Sequence, residues 1–230
     1  AFLDYLRLER NYSERTIVAY GRDLEEFEEY FKKTDAELDF KKIHSDNVRN
    51  WIVALMDDGR TETSVNRKLS SLRSFYRFLL RKKEVAVNPM LKVVGPKKKK
   101  PLPSFVREKE MDRLLDETSF EEGFEGVRDR MILEVFYATG MRLSELIGLD
   151  DADVDFSAKL IKVTGKRNKQ RLIPFGDELA KDLLIYIKVR NETIPHGAEA
   201  FFVLKDGNRM YPMAVYRIVK RNLSKVVTLK

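Results

Sequence analysis

The chain has 230 residues, with 44 Lys+Arg, 37 Asp+Glu, two His and no Cys, giving a formal net charge of +7. Its length suits one large domain or two small ones, and 43% hydrophobic with 10% aromatic residues excludes a disordered chain. The lack of cysteine excludes disulfides, thiol nucleophiles and zinc–cysteine clusters, two isolated histidines (His44 and His196) leave little for a histidine metal site, and no apolar run approaches the roughly 20 residues of a membrane span.

Ala1–Arg10 reads as an amphipathic helix carrying Asp4, Arg7 and Glu9, unlike a signal peptide. The start without Met points to a trimmed or processed end. Ile17, Tyr20, Leu24, Phe27 and Phe31 step by three and four, the stripe of a second helix, with Ser13 as its N-cap. Val48, Ile52, Leu55 and Met56 mark a third helix, capped by Ser45 or Asp46 and stopped by Gly59. Val65, Leu69, Leu72, Tyr76 and Leu79 mark a fourth, whose opposite face carries Arg67, Lys68, Arg77, Arg81 and Lys82. Residues 63–100 hold 12 basic groups and one acid, Glu84, a candidate phosphate-binding surface. A solvated basic face is the plain alternative, although exposed helices usually mix signs for i,i+4 pairing.

Val87–Phe105 breaks the helical pattern with Asn88-Pro89, Gly95-Pro96, Lys97–Lys100 and Pro101-Leu102-Pro103. It is expected to be an interdomain linker, either a solvated spacer or a segment lying along a phosphate backbone. Glu108–Glu117 then reads as a short helix, Arg128–Ala138 as a buried central helix, and Leu143–Leu149 as a short one. Lys159–Thr164 and Arg171–Pro174 flank the basic tip Gly165–Gln170 in a hairpin pattern. Asp177–Val189 is expected to be helical, Phe201–Leu204 a strand, and Met213–Val226 helical.

Two constellations could carry chemistry. Arg142 stands where a buried helix ends at Gly140 and the next begins, among free backbone N–H groups. Its planar fork suits two phosphate oxygens, and Glu145, one turn on, could hold it. A structural Arg–Glu pair is the alternative. The hairpin tip Gly165-Lys166-Arg167-Asn168-Lys169-Gln170-Arg171 offers a lysine able to reach a substrate oxygen and release a proton, against the commoner solvated turn.

Taken together and in this order, Ala138-Thr139-Gly140-Met141-Arg142-Leu143-Ser144-Glu145-Leu146 and Gly165-Lys166-x-Asn168-Lys169-x-Arg171-x-x-Pro174 resemble a tyrosine recombinase of the Xer type. Asn11-Tyr12-Ser13-x-x-Thr16-x-x-x-Tyr20-x-x-Asp23-Leu24, Ser70-x-Leu72-Arg73-x-Phe75-Tyr76-x-Phe78-Leu79 and Asn88-Pro89 extend the resemblance over essentially the whole chain.

The resemblance implies a mainly α protein: a four-helix SAM-like core-binding bundle over 1–87, a basic linker over 88–105, and a mixed α+β catalytic domain over 106–230 with a small antiparallel sheet, incomplete at its carboxy-terminal end. It implies strand cleavage and rejoining through a 3′-phosphotyrosyl bond, with no cofactor and no metal. Arg142 would clamp the phosphate, Lys166 would protonate the leaving 5′-oxygen, and Glu145 would support the site. DNA contacts are expected from Arg67, Lys68 and Arg73, and from Arg15, Thr16 and Tyr20. The Arg22–Asp39 stretch, with eight acids, is expected to face away from DNA.

The implied partners are a double-stranded recombination site and further recombinase subunits in a homo- or hetero-tetramer, in the cytoplasm and without membrane insertion. The family's His-x-x-Arg-like motif and nucleophilic tyrosine have no match here, and Tyr211 and Tyr216 lie too early. The 230 residues alone are therefore expected to bind DNA without cutting it. A non-catalytic DNA-binding regulator is the first alternative. A metal-dependent nuclease or transposase, resting on Asp150-Asp151-x-Asp153-x-Asp155, is the second.

Overall fold

In a computed structural model, residues 1–33, 39–98, 105–117, 120–165, 169–194 and 199–226 are described. The chain divides into two compact units, Ala1–Leu102 and Pro103–Lys230.

The first unit is built by amphipathic stripes. Helix α1 (Phe2–Asp4) runs into a π-helical turn, Tyr5–Glu9, and buries Phe2 and Leu6 with Ile17 and Phe78. Helix α2 (Glu14–Lys32) starts where the Ser13 hydroxyl accepts the Thr16 N–H at 3.4 Å, and it buries Ile17, Phe27 and Phe31. Helix α3 (Ser45–Asp57) is capped one residue earlier than expected. The Asn47 side chain accepts the His44 N–H at 2.9 Å, which makes His44 the cap. Gly59, at φ 75°, follows its end. Helix α4 (Glu62–Arg81) begins at Thr61, whose hydroxyl accepts the Ser64 N–H at 3.3 Å. Trp51, Phe27, Leu69, Leu72 and Tyr76 form the centre of this core, with Trp51 edge-on to Phe27 at 4.8 Å.

The expected linker does not begin at residue 88. Asn88 accepts the Met90 N–H at 2.9 Å and starts a 3₁₀ turn, Pro89–Lys92, that buries Met90 in the first core along with Val93. Arg49 and Arg73 then donate to the carbonyls of Lys92 and Val93 at 3.0 and 3.2 Å, and Asn66 to that of Pro96 at 2.8 Å. A Cβ on Gly95 would come within 2.2 Å of Asn66 Oδ1, so a larger residue there would displace the side chain that holds Pro96. Apolar anchors and carbonyl acceptors outweigh the proline and glycine signals here. Lys97 and Lys98 are exposed, and residues 99–104 lie outside the described part.

In the second unit, α5 (Glu108–Asp112) continues as a π-helical turn, Arg113–Glu117. Helix α6 (Phe124–Thr139), expected to be buried from its apolar run, buries Met131, Ile132, Leu133 and Val135 together with the ion pair of Arg128 and Asp129. Gly140, at φ 60°, ends it, and α7 (Leu143–Ile147) follows. Strands β1 (Val154–Asp155), β2 (Leu160–Thr164) and β3 (Gln170–Pro174) pair antiparallel in that order, with Ile161 opposite Ile173 and Thr164 opposite Gln170. Helices α8 (Asp177–Thr193) and α9 (Pro212–Leu223) complete the unit.

The run expected as a strand, Phe201–Leu204, makes only an isolated bridge from Val203 to Arg209. Phe201, Phe202 and Val203 are fully buried beside Tyr186, so their apolarity serves the core rather than a ladder. Strand β1, short and acid-flanked, gave no such apolar signal.

Candidate phosphate site and nucleic-acid interface

Between α6 and α7 the chain turns on Gly140 in the left-handed region and is pinned by buried Met141. Arg142 follows in extended conformation at the cap of α7. Its backbone N–H donates to Glu145 Oε2 at 2.7 Å and its Nη1 to Oε1 at 2.9 Å. Arg171, on β3, reaches the same carboxylate with both ends of its fork, Nη1 to Oε1 at 2.6 Å and Nη2 to Oε2 at 2.8 Å.

Glu145 is 2% exposed. The Arg171 hydrogen bond, against burial and with help from Arg142, holds its carboxyl down at about 2. The Arg142 and Arg171 side chains are 70% and 41% exposed. One buried anion therefore carries two outward cations, a cluster of net charge +1. The hairpin passes close by: a Cβ on Gly165 would lie 3.0 Å from Glu145 Oε1, and the Gly165 N–H donates to the Lys169 carbonyl at 2.8 Å. The structure thus brings together Arg142, Glu145 and the hairpin stem. Lys166 lies outside the described residues.

Arg171 belonged to the hairpin motif, but its partner could not be read from the sequence. The usable signal was a cation at the start of the strand that leaves the hairpin tip.

On α4 the expectation of a uniformly exposed cationic face fails at Lys68. This side chain is buried, and its ammonium sits between Glu26 and Asp23, the latter at 3.4 Å. Arg67, half exposed, spends its fork on buried Asp23 at 2.5 and 2.7 Å. Thus Asp23 and Glu26, within the acidic stretch, lie against the cations of α4. The cause is that the α2–α4 packing places both acids beside residues 67 and 68. Arg73 is partly buried through its bond to Val93, whereas Arg77 is exposed.

On α2, Arg15 and Arg22 are exposed, and the Thr16 hydroxyl lies 2.9 Å from that of Ser13. Tyr20 packs edge-on to Tyr12 at 6.1 Å, and burial pushes its hydroxyl pKa up.

The aspartate run that suggested a metal loop is committed elsewhere. Asp150 pairs with Arg209 at 2.5 Å, Asp151 with Arg190 at 2.7 Å, and Asp153 with Lys162 at 2.8 Å. Asp155 accepts from the Ser157 and Ala158 backbones. Among the described residues no group of three or more His, Asp or Glu is placed to hold a metal ion, and no helix is long and apolar enough to cross a membrane.

Comparison with known proteins follows the same division. Residues 1–83 match the phage integrase N-terminal SAM-like domain and residues 104–227 the phage integrase family. Tyrosine recombinase XerC of Chlorobaculum tepidum is 37% identical over 251 residues, covering 98% of this chain and 75% of that protein. XerC of Staphylococcus saprophyticus is 38% identical over 187 residues, covering 81% and 62%. Two solved structures share the fold. One is XerH recombinase bound to a palindromic difH substrate (TM-score 0.73, 19% identity, 94% of this chain and 64% of that one). The other is a lambda integrase dimer bound to a COC′ core site (TM-score 0.71, 16% identity, 100% and 77%). The matches over both units and the identity to XerC proteins place this chain in the phage integrase family, as a tyrosine recombinase of the Xer type.

Proposed function

We propose that this chain binds a double-stranded recombination site and holds the scissile phosphodiester with Arg142, supported by Glu145 and served by Lys166. In the reaction, a tyrosyl oxygen bonds to phosphorus as the bond to the 5′-oxygen breaks, leaving a 3′-phosphotyrosyl linkage. Arg142 offsets the extra negative charge of the five-coordinate phosphorus, and the Lys166 ammonium supplies the proton that the leaving oxygen takes up. Glu145, held ionised by two guanidiniums, orients and does not exchange protons near neutral pH. The chemistry calls for no metal or nucleotide. The observation that carries this reading is an exposed guanidinium anchored on a buried carboxylate that a second guanidinium already neutralises.

Phosphate contacts in the first unit are assigned to Arg73 and Arg77 on α4, and to Arg15, Thr16 and Tyr20 on α2. Arg67, whose fork is taken by Asp23, and Lys68 are reassigned to holding the helices together. Recombinase subunits are proposed to assemble as a tetramer on two duplexes in the cytoplasm.

No tyrosine of this sequence is assigned as nucleophile. Tyr211 and Tyr216 are both about half exposed at the start of α9, and neither carries the role. The 230 residues are proposed to bind duplex DNA without cutting it. Incubation with a nicked duplex, followed by denaturing electrophoresis, should give retarded complexes before denaturation and no covalent adduct after it. An adduct mapped to either tyrosine overturns the assignment, and absence of any complex overturns the DNA reading.

A further inference from the structure

A free carboxylate facing an arginine tends to take both ends of the guanidinium fork. Glu145 lies three residues from Arg142 and could consume it in that way. It does not, because Arg171 occupies one N–H bond on each oxygen of the carboxylate. Arg142 is left with a single side-chain bond, from Nη1 to Oε1 at 2.9 Å. Its Nε and Nη2 make no hydrogen bond among the described residues, and the side chain is 70% exposed.

Charge gives the same result. Arg142 with Glu145 alone would be a neutral pair, a poor partner for a phosphodiester. With Arg171 the cluster carries +1. The geometry of Gly165, whose missing Cβ leaves room for Glu145 Oε1, keeps the hairpin close enough for Arg171 to reach.

We propose that Arg171 is a positioning residue: by engaging both oxygens of Glu145 it keeps the Arg142 fork free and charged for a backbone phosphate. This rests on the reading that Arg142 engages DNA phosphate.

The test uses the full 230-residue chain and a short random-sequence duplex. The slope of log affinity against log salt is measured for the unsubstituted chain, R142Q, R171Q, and E145Q/R171Q, with circular dichroism checking that each is folded. Loss of one phosphate contact flattens the slope by about 0.9. R142Q should lose that amount, and R171Q should lose the same although Arg142 is intact. E145Q/R171Q should return to the original slope, because a neutral glutamine no longer captures the Arg142 fork while its oxygen can still accept the Arg142 N–H.

If R142Q keeps the original slope, the phosphate reading falls and this proposal falls with it. If R142Q flattens the slope and R171Q does not, the proposal alone is overturned. If R171Q flattens it and the double variant does not recover, Arg171 touches phosphate itself or acts only as scaffold, and the proposal is again overturned. Should R171Q be unfolded, R171M takes its place: a methionine of similar length has no charge and no donor for Glu145, so the slope should flatten as for R142Q, and an unchanged slope overturns the proposal.

Discussion

Two charge clusters in this molecule look alike in the sequence and differ in what they can do. In the first unit, Asp23 and Glu26 face Arg67 and Lys68, and Arg60 lies 3.9 Å from both Glu26 and Asp58, three acids against three cations, with Asp23 and Lys68 buried. In the second, one buried acid, Glu145, faces two exposed arginines. The first cluster sums to zero and closes on itself, fastening α2 to α4. The second leaves a positive charge and unspent donors at the surface. The ratio of acids to cations, and which member is buried, separates a fastening from a binding site.

The largest expected effect tests the fastening. Removing one partner of a buried ion pair costs about 3–5 kcal/mol, since the other charge remains without compensation. Asp23→Ala should therefore lower the stability of the first unit by about 3 kcal/mol. Trp51 is the single tryptophan and is buried in that core, so its fluorescence during urea unfolding reports on this unit. A midpoint within error of the unsubstituted chain would show that the cluster is not holding the helices.

A pH titration sharpens the contrast within the second unit. Glu145 ionises in the folded state at about 2, below its ordinary 4.5, chiefly through Arg171. Its stabilisation is complete above pH 4.5 and lost as the pH falls towards 2. Glu134, on α6, is the counter-case. Burial, then the hydrogen bond and charge of Asp182, push its carboxyl up to about 7, only partly opposed by Arg130. Its Oε2 is buried, 3.9 Å from Arg130 Nη2, and accepts no hydrogen bond among the described residues.

Here the folded form binds the proton more tightly, so stability declines as the pH rises from 4.5 through about 7. Thermal unfolding followed by circular dichroism should show both limbs. Glu145→Gln should flatten the acid limb and Glu134→Gln the near-neutral one. A Glu134→Gln chain whose profile still falls between those values would place the titrating group elsewhere.

Much of this was legible from residue order. The stripes of α2 and α4, the cap at Ser13, the stop at Gly140 and the hairpin follow from local chemistry: side-chain period, a cap acceptor and backbone freedom. Arg142 and Glu145 were legible for the same reason, being one turn apart. What stayed hidden depends on contacts distant in sequence. Asp23 meets Arg67 across 44 positions and Arg171 meets Glu145 across 26, and no spacing rule links such pairs. Met90 and Val93 likewise show as core only once the first unit surrounds them.

The smallest effect separates fastening from binding on a single helix. Arg77 is exposed on α4 with no acid engaged among the described residues, whereas Lys68 is buried between two. Arg77→Gln should leave the Trp51 unfolding midpoint nearly unchanged and flatten the salt dependence of duplex binding by about 0.9. Lys68→Met should do the reverse, lowering the midpoint and, at temperatures where the chain stays folded, leaving the salt slope as it was. Counterion release counts only cations that meet phosphate, and a buried ammonium flanked by two carboxylates has none to displace. A flattened slope in Lys68→Met would mean that the α2–α4 cluster opens on DNA and hands its lysine to the backbone, and the distinction between the two clusters would then be one of state rather than of composition.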